Sequence, residues 1–168
     1  MTAERAFVAL GSNLDEPARQ LGVAIEALAC LPATRVLQVS GFYRTAPWGD
    51  ADQPDFVNAV ALLETALAPL PLLDALLTIE QQMGRVRTRR YGPRVIDLDL
   101  LAHGDTLMDS PRLVLPHPRM HERAFVMWPL AEIAPDLVLA PWGRAAEIAA
   151  SLPAEGIARL EQRRQQPV

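Results

Sequence analysis

Lysine is absent from this chain of 168 residues, so all 16 of its lysine-or-arginine charges are arginine. A catalytic base or a phosphate-binding ammonium of the lysine type is therefore excluded. If the protein binds phosphate groups, the contacts must come from arginine, histidine, backbone N–H groups or a metal ion. Arginine suits this task because its planar guanidinium contacts phosphate oxygens in a bidentate manner.

Cysteine and long apolar runs are also scarce. Cys30 is the only cysteine, which excludes an internal disulfide, and its apolar neighbours predict a small buried side chain in a reduced protein. No run approaches the roughly 18 apolar residues of a membrane-spanning helix. The first residues, MTAERAFVALGSN, also lack a cleavable signal pattern. We therefore expect a cytoplasmic protein with no membrane partner.

Several motifs that would define an enzyme or a metal protein are missing. There is no G-x-x-x-x-G-K-[ST] sequence, which excludes a P-loop enzyme. His117 and His121 have a spacing that suits zinc, but His103 is the only other histidine, so a full set of zinc ligands is lacking. The net charge of −4 argues against a protein that coats nucleic acid.

The most informative feature that is present is segment 85–99, which reads RVRTRRYGPRVIDLD. Five arginines fall within ten residues with no acid among them, and glycine and proline make this part a loop rather than a helix. An apolar run typical of a strand follows. Side chains alternate along a strand, so Asp97 and Asp99 point to one face and their apolar neighbours to the other.

Each half of this segment has an ordinary interpretation when it is taken alone. Runs of arginine are usually solvated or contact nucleic acid, and two aspartates on a strand can be an exposed face. Together they favour a site for a polyphosphate that arrives with divalent metal, because adjacent carboxylates repel one another without a cation between them. The arginines would then neutralise phosphate oxygens while Asp97 and Asp99 hold the ions.

The order of the elements predicts an α+β protein with a ferredoxin-like βαββαβ antiparallel sheet, helices on one face and a C-terminal extension. We expect a single domain over residues 1–168. The expected strands are 7–10, 36–43, 56–64 and the run containing the two aspartates; the expected helices are 16–30, 69–84, 122–133 and a short one after 144.

Five stretches of this chain resemble the 6-hydroxymethyl-7,8-dihydropterin pyrophosphokinase family of folate biosynthesis. They are ALGSNL, FYRTAPWG, QPDFVNAVALLET, IEQQMGRVRTRRYGPRVIDLDLL and LPHPRMHERAFVMWPLAEIAP. The resemblance covers residues 6 to 143 in the family's order. It implies an enzyme that transfers an intact diphosphoryl group from MgATP to the pterin hydroxymethyl oxygen and releases AMP. It also implies two Mg²⁺ ions, ATP as co-substrate and a monomer whose partners are small molecules, with no nucleic acid.

The resemblance also implies roles for individual residues. Asp97 and Asp99 match the metal-binding and catalytic aspartates, while Arg85 and Arg87 match catalytic arginines of a mobile loop over the triphosphate. The positions that match ATP contacts are Glu80, Arg87, Arg94, Arg112, His117 and Arg123. The positions that match the pterin pocket are Thr45, Ala46, Pro47 and Trp48 in a lining loop, Phe56 and Phe125 on either side of the ring, and Asn58 at its amide-like edge.

This sequence departs from the family pattern inside the arginine loop. Tyr91 stands where tryptophan is frequent, and Thr88 stands where a basic residue is common.

The rival hypothesis is a non-catalytic ferredoxin-like module that binds RNA through the same arginine-rich loop. Such binding would depend steeply on salt and would not need Mg²⁺.

Overall fold

Ten strands and four α-helices form the described part of the chain. The structure is a computed structural model that describes residues 2–46, 54–84, 95–154 and 156–160. In chain order the elements are β1 Glu4–Ser12, α1 Pro17–Ala29, β2 Thr34–Val39, β3 Tyr43–Thr45, β4 Phe56–Thr65, α2 Pro69–Gln82, β5 Asp97–His103, β6 Met108–Asp109, β7 Val114–Leu115, the 3₁₀ helix Met120–Glu122, α3 Ala124–Ile133, β8 Val138–Leu139, β9 Gly143–Arg144, α4 Ala145–Ser151 and β10 Ile157–Arg159.

The main sheet has the order β10-β3-β4-β1-β5, and β2 pairs with β4 as well. All of these pairings are antiparallel. The elements β1, α1, β2, β4, α2 and β5 give the βαββαβ order, with the short strand β3 added between β2 and β4, so the ferredoxin-like fold expected from the sequence is confirmed. β4 lies in the middle of this order and β1 lies between β4 and β5, while β5, which carries the two aspartates, is the outermost described strand on that side.

Both faces of the sheet are covered, because strand residues alternate between two cores. Val8 and Leu10 of β1 point to the core that contains α1 and α2, together with Leu98 and Leu100 of β5. Phe7 and Ala9 point to a second core, which α3 and α4 complete. The prediction of helices on one face was therefore incomplete. No helix among the described ranges has the length and apolar character that crossing a membrane requires.

Helix α2 directly precedes the arginine-rich segment that begins at Arg85. It begins at Pro69, where a missing N–H costs nothing in the first helical turn. Its apolar stripe buries Leu72, Leu76 and Ile79 against the sheet. Gly84 follows the C-cap residue with a φ of 84°, which is the left-handed conformation that favours glycine at a helix end.

Three sequence-based expectations about local structure were wrong. The strand expected over 36–43 is two strands, because the chain breaks at Ser40, whose N–H donates to the Val60 carbonyl at 2.9 Å and whose Oγ accepts from the Val60 N–H at 3.0 Å. The tail contains a strand, β10, that the sequence pattern did not predict. Cys30 is exposed at the C-cap of α1 rather than buried.

A carboxylate of α3 attaches β10 to the sheet. Glu132 accepts hydrogen bonds from the Gly41 N–H at 2.8 Å, from the Tyr43 hydroxyl at 2.7 Å and from Arg159 Nε at 3.1 Å. Burial and the hydrogen bond to Glu132 together raise the pKa of the Tyr43 hydroxyl to about 12. Tyr43 therefore stays a neutral donor, and this cluster fixes β3 between β10 and β4.

Candidate active site

Asp97 and Asp99 lie on one face of β5, as their spacing predicts. Both are partly exposed, whereas Leu98 between them is only 4 % exposed. In the register with β1, Asp97 is opposite Gly11 and Asp99 is opposite Ala9. The two carboxylates therefore share the sheet face that carries α3.

A row of four residues crosses the sheet at this point. In register, Tyr43 of β3 is opposite Asn58 of β4, Asn58 is opposite Gly11 of β1, and Gly11 is opposite Asp97 of β5. Residues that are paired in this way point to the same face. Between the Asn58 amide and the Asp97 carboxylate there is thus a residue with no side chain, which leaves the floor of the site open.

Gly11 is a site residue that the sequence reasoning missed. The strand expected over 7–10 stops before this position, but β1 continues through it to Ser12. A Cβ atom there would lie 2.8 Å from Asn58 Oδ1, closer than real Cβ contacts allow. A glycine inside a strand pattern is the signal that could have revealed this close approach.

The residues predicted to recognise a pterin meet at the other end of the row. Asn58 Nδ2 donates to Thr45 Oγ1 at 2.8 Å, and both side chains are buried. Thr45 is opposite Phe56 in the register of β3 with β4. Ala46 follows, and its N–H donates to the carbonyl of Gly156 at 3.0 Å. This end of the site is therefore tied to the C-terminal strand.

Arg123 and Phe125 approach this face from the start of α3. Arg123 is the N-cap residue of the helix. Its guanidinium carbon lies 5.8 Å from the centroid of the Phe125 ring, which is within the range of a cation–π interaction. A predicted ATP contact thus packs against a predicted pterin contact.

His117 belongs to the same electrostatic group. Its backbone N–H donates to the Leu101 carbonyl of β5 at 2.8 Å, and its Nδ1 accepts from the Arg119 N–H at 3.2 Å. The pKa of His117 is lowered to about 4, mainly by burial and also by the positive charges of Arg123 and Arg119, while Asp97 acts in the opposite direction. The ring is therefore neutral near neutral pH, with its proton on Nε2 as a donor.

Two further residues that were predicted to contact ATP, Arg112 and Glu80, interact with other parts of the protein. The Arg112 guanidinium forms an ion pair with Asp74 of α2. Glu80 of α2 is only 2 % exposed, and its Oε2 accepts a hydrogen bond from the Leu98 N–H at 2.8 Å. Direct contact of either side chain with a nucleotide stays a prediction.

The donor set on β5 suits magnesium. Among the described ranges there is no group of three or more His, Cys, Asp or Glu side chains that could hold a metal ion. Mg²⁺ is usually bound through one or two carboxylates together with substrate phosphates and water. Asp97 and Asp99 alone therefore meet the protein's share of such a site.

The remaining predicted site residues lie outside the described residues. They are Arg85, Arg87 and Arg94, as well as Pro47 and Trp48.

Known structures share this fold. The crystal structure of wild-type Plasmodium falciparum HPPK-DHPS with pterin and p-hydroxybenzoate is similar, with a TM-score of 0.72 and 13 % identity, over 89 % of this chain and 42 % of that one. A crystal structure of HPPK-DHPS in complex with substrates has a TM-score of 0.70 and 13 % identity, over 89 % of this chain and 43 % of that one. The chain thus spans less than half the length of these structures, and at this identity the likeness shows the fold alone.

The fold and the site side chains are together typical of a phosphate-transferring enzyme of ferredoxin-like architecture. A family model described as 7,8-dihydro-6-hydroxymethylpterin-pyrophosphokinase matches residues 7–135, and the chain belongs to this family.

Curated relatives match this chain over most of their own length. A 2-amino-4-hydroxy-6-hydroxymethyldihydropteridine pyrophosphokinase from Pseudomonas aeruginosa is 54 % identical over 94 % of this chain and 97 % of its own. A relative of the same name from Methylorubrum extorquens is 50 % identical over 94 % of this chain and 99 % of its own. Another of that name, from Haemophilus influenzae, is 52 % identical over 80 % of this chain and 84 % of its own.

Proposed function

We propose that this protein transfers the diphosphoryl group of ATP to the hydroxymethyl oxygen of 6-hydroxymethyl-7,8-dihydropterin, in folate biosynthesis. The family match and the names of the curated relatives support this activity. The structural observation that carries it is the row Asn58–Gly11–Asp97. It puts an amide suited to a pterin edge and a carboxylate suited to a metal on one face, about 10 Å apart at ordinary strand spacing.

Each end of the row has its own task. At the pterin end, Asn58 and Thr45 provide hydrogen-bonding groups, and Phe56 and Phe125 provide ring faces for stacking. At the phosphate end, Asp97 and Asp99 would hold two Mg²⁺ ions, which supply charge neutralisation and polarise the attacking hydroxyl.

Positive and donor groups complete the phosphate end. Arg123 presents a guanidinium that packs against Phe125 and acts electrostatically on His117, and neutral His117 presents an Nε2–H donor. Arg112 would add a second guanidinium. Arg85, Arg87 and Arg94 are proposed to contact the phosphates as well, in keeping with the resemblance of their segment. Such groups act mainly by positioning and by stabilising charge in the transition state.

The proposed reaction is a displacement at the β-phosphorus of ATP. The pterin hydroxyl oxygen forms a bond to the β-phosphorus, and the bond between the β-phosphorus and the oxygen that bridges it to the α-phosphate breaks. AMP leaves with that oxygen, and the hydroxyl proton passes to solvent. An in-line approach lets the fixed donors stabilise both the attacking and the leaving oxygen.

Calorimetric titration with a non-hydrolysable ATP analogue tests this proposal. We expect binding of the analogue that strengthens with Mg²⁺, and binding of the pterin to the same protein. The rival RNA-binding module predicts no such dependence, and instead tight binding of single-stranded RNA that weakens steeply with salt. That result, with no nucleotide binding, would overturn the proposal.

The expected monomer and the expected cytoplasmic location also remain predictions. Sedimentation equilibrium at increasing protein concentration distinguishes a monomer from a dimer.

A further inference from the structure

Glu80 stands out because it is a carboxylate inside an apolar helix face. It follows Leu72, Leu76 and Ile79 on the buried stripe of α2 and is only 2 % exposed. A buried charge is costly unless hydrogen bonds compensate for it. Its Oε2 accepts a hydrogen bond of 2.8 Å from the backbone N–H of Leu98.

The hydrogen bond from Leu98 to Glu80 matters because the Leu98 N–H lies between the two aspartates. Leu98 is the residue between Asp97 and Asp99, and its N–H belongs to the peptide unit that joins Asp97 to it. β5 is the outermost described strand on its side of the sheet, and β1 holds the two aspartates from the inner side. The N–H of an edge residue that points away from the sheet has no strand partner. Glu80 supplies the acceptor that a further strand would supply.

We propose that Glu80 is a positioning residue for the metal-binding aspartates, an inference that rests on the proposed function. Fixing the Asp97–Leu98 peptide fixes the direction in which both carboxylates leave the strand. Mg²⁺ needs this order because it requires near-octahedral geometry at about 2.0–2.1 Å. Glu80 itself acts from the opposite face, where α2 and the Leu98 side chain share a core.

Two variants of similar size separate this role from direct contact with a nucleotide or a metal. Glu80→Gln keeps an acceptor oxygen at the same reach but removes the charge, whereas Glu80→Met removes the acceptor. Glu26→Gln makes the same chemical change at an exposed position of α1 and serves as the control.

The decisive readout is the Mg²⁺ dependence, measured in two ways. Mg²⁺ is titrated against the protein with the ATP analogue while the amide signals of residues 97–99 are followed by NMR, and it is titrated in the activity assay. We expect Glu80→Met to raise the half-saturating Mg²⁺ concentration about ten- to a hundredfold, the usual effect of losing an outer-shell partner. Glu80→Gln should stay within a few-fold of the original protein, and affinity for the analogue without metal should not change.

Hydrogen exchange of the Leu98 amide provides a test that does not depend on activity. The bond to Glu80 predicts strong protection in the original protein, partial loss in Glu80→Gln and greater loss in Glu80→Met, with thermal unfolding recorded alongside. If Glu80→Met does not fold, rapid exchange of the Leu98 amide in the folded original protein would still overturn the proposal, because the bond to Glu80 would then be absent.

Other outcomes contradict the inference in distinct ways. An unchanged Mg²⁺ dependence in both variants rules out positioning. Equal damage from Gln and Met shows that the charge, not the acceptor, matters. Weaker analogue binding without metal shows direct nucleotide contact. If the original protein forms no AMP at all, the proposed function fails, while the amide titration still reports on the aspartates.

Discussion

The Asn58 side chain donates to Thr45 Oγ1 at 2.8 Å, and this bond fixes which way the amide faces. Because Nδ2 points to Thr45, Oδ1 points toward Gly11 and the aspartate end of the row. The site therefore presents an amide of defined orientation at a fixed place on a sheet. Such preorganisation reduces the entropy that is lost when a ligand is bound.

Removing the Thr45 hydroxyl should weaken pterin recognition. In Thr45→Val the buried Asn58 donor loses its acceptor, a loss of about 1–2 kcal/mol, so the KM for the pterin should rise about tenfold. Thr45→Ser keeps the hydroxyl and should stay close to the original value. Steady-state kinetics with each substrate varied in turn provide the check. An equal rise in the KM for ATP would contradict a role confined to the pterin end.

A methyl group at Gly11 should close the floor of the site. Gly11→Ala places its Cβ 2.8 Å from Asn58 Oδ1, so the amide must move. We expect a rise of about tenfold or more in the Kd for the pterin, equivalent to about 1.4 kcal/mol. Gly22→Ala on α1 is the matched control, because its Cβ meets nothing within 4 Å. It should bind pterin normally and be slightly more stable, by about 0.5–1 kcal/mol. Normal pterin affinity in Gly11→Ala would show that the row is not the binding floor.

Neutralising the aspartates should abolish the reaction without unfolding the protein. Asp97→Asn and Asp99→Asn remove the negative charge that attracts a cation, and we expect AMP formation to fall by about a hundredfold to a thousandfold or more. Asp105→Asn, an exposed residue in the turn after β5, is the control and should keep full activity. Circular dichroism verifies the fold of each variant. Unimpaired turnover in either aspartate variant would refute the metal assignment.

The neutral state of His117 makes a prediction about pH. Its pKa in the folded protein is about 4, below the 6.5 of an ordinary histidine. The unfolded chain therefore takes up the proton first as the pH falls. The stability that depends on neutral His117 is complete above about pH 6.5 and is lost progressively between there and pH 4.

Two measurements check this sign. In the protein without nucleotide or metal, the ring signals of His117 in an NMR titration should move near pH 4. His117→Asn retains an acceptor in place of Nδ1 but cannot take up a proton in this range. The free energy of unfolding of each protein is measured with denaturant. As the pH falls, the original protein should lose stability relative to His117→Asn. A midpoint near 6.5 would contradict a buried, neutral ring.

The sequence was sufficient for features that depend on local pattern. Alternation along the strand predicted the shared face of Asp97 and Asp99, because a period of two is a property of the backbone alone. Proline and glycine predicted both ends of α2 for the same kind of reason. These features need no knowledge of what packs against them.

Features that depend on distant partners could not be predicted in this way. β10 exists because Arg159 pairs with Glu132 of α3, at a separation of 27 residues. Gly11 matters because Asn58 approaches it across the sheet, and Glu80 is explained by a backbone N–H of a different element. In each case a contact between elements, rather than local propensity, determines the role of the residue.

The most direct test of diphosphoryl transfer follows the β-phosphate of ATP. The protein is incubated with Mg²⁺, 6-hydroxymethyl-7,8-dihydropterin and ATP that carries an isotopic label in its β-phosphate, and the products are separated. The proposed reaction predicts that the label enters a pterin diphosphate while AMP forms in equal amount, and that neither product forms without the pterin. Label retained in ADP, or AMP released at the same rate without the pterin, would contradict it.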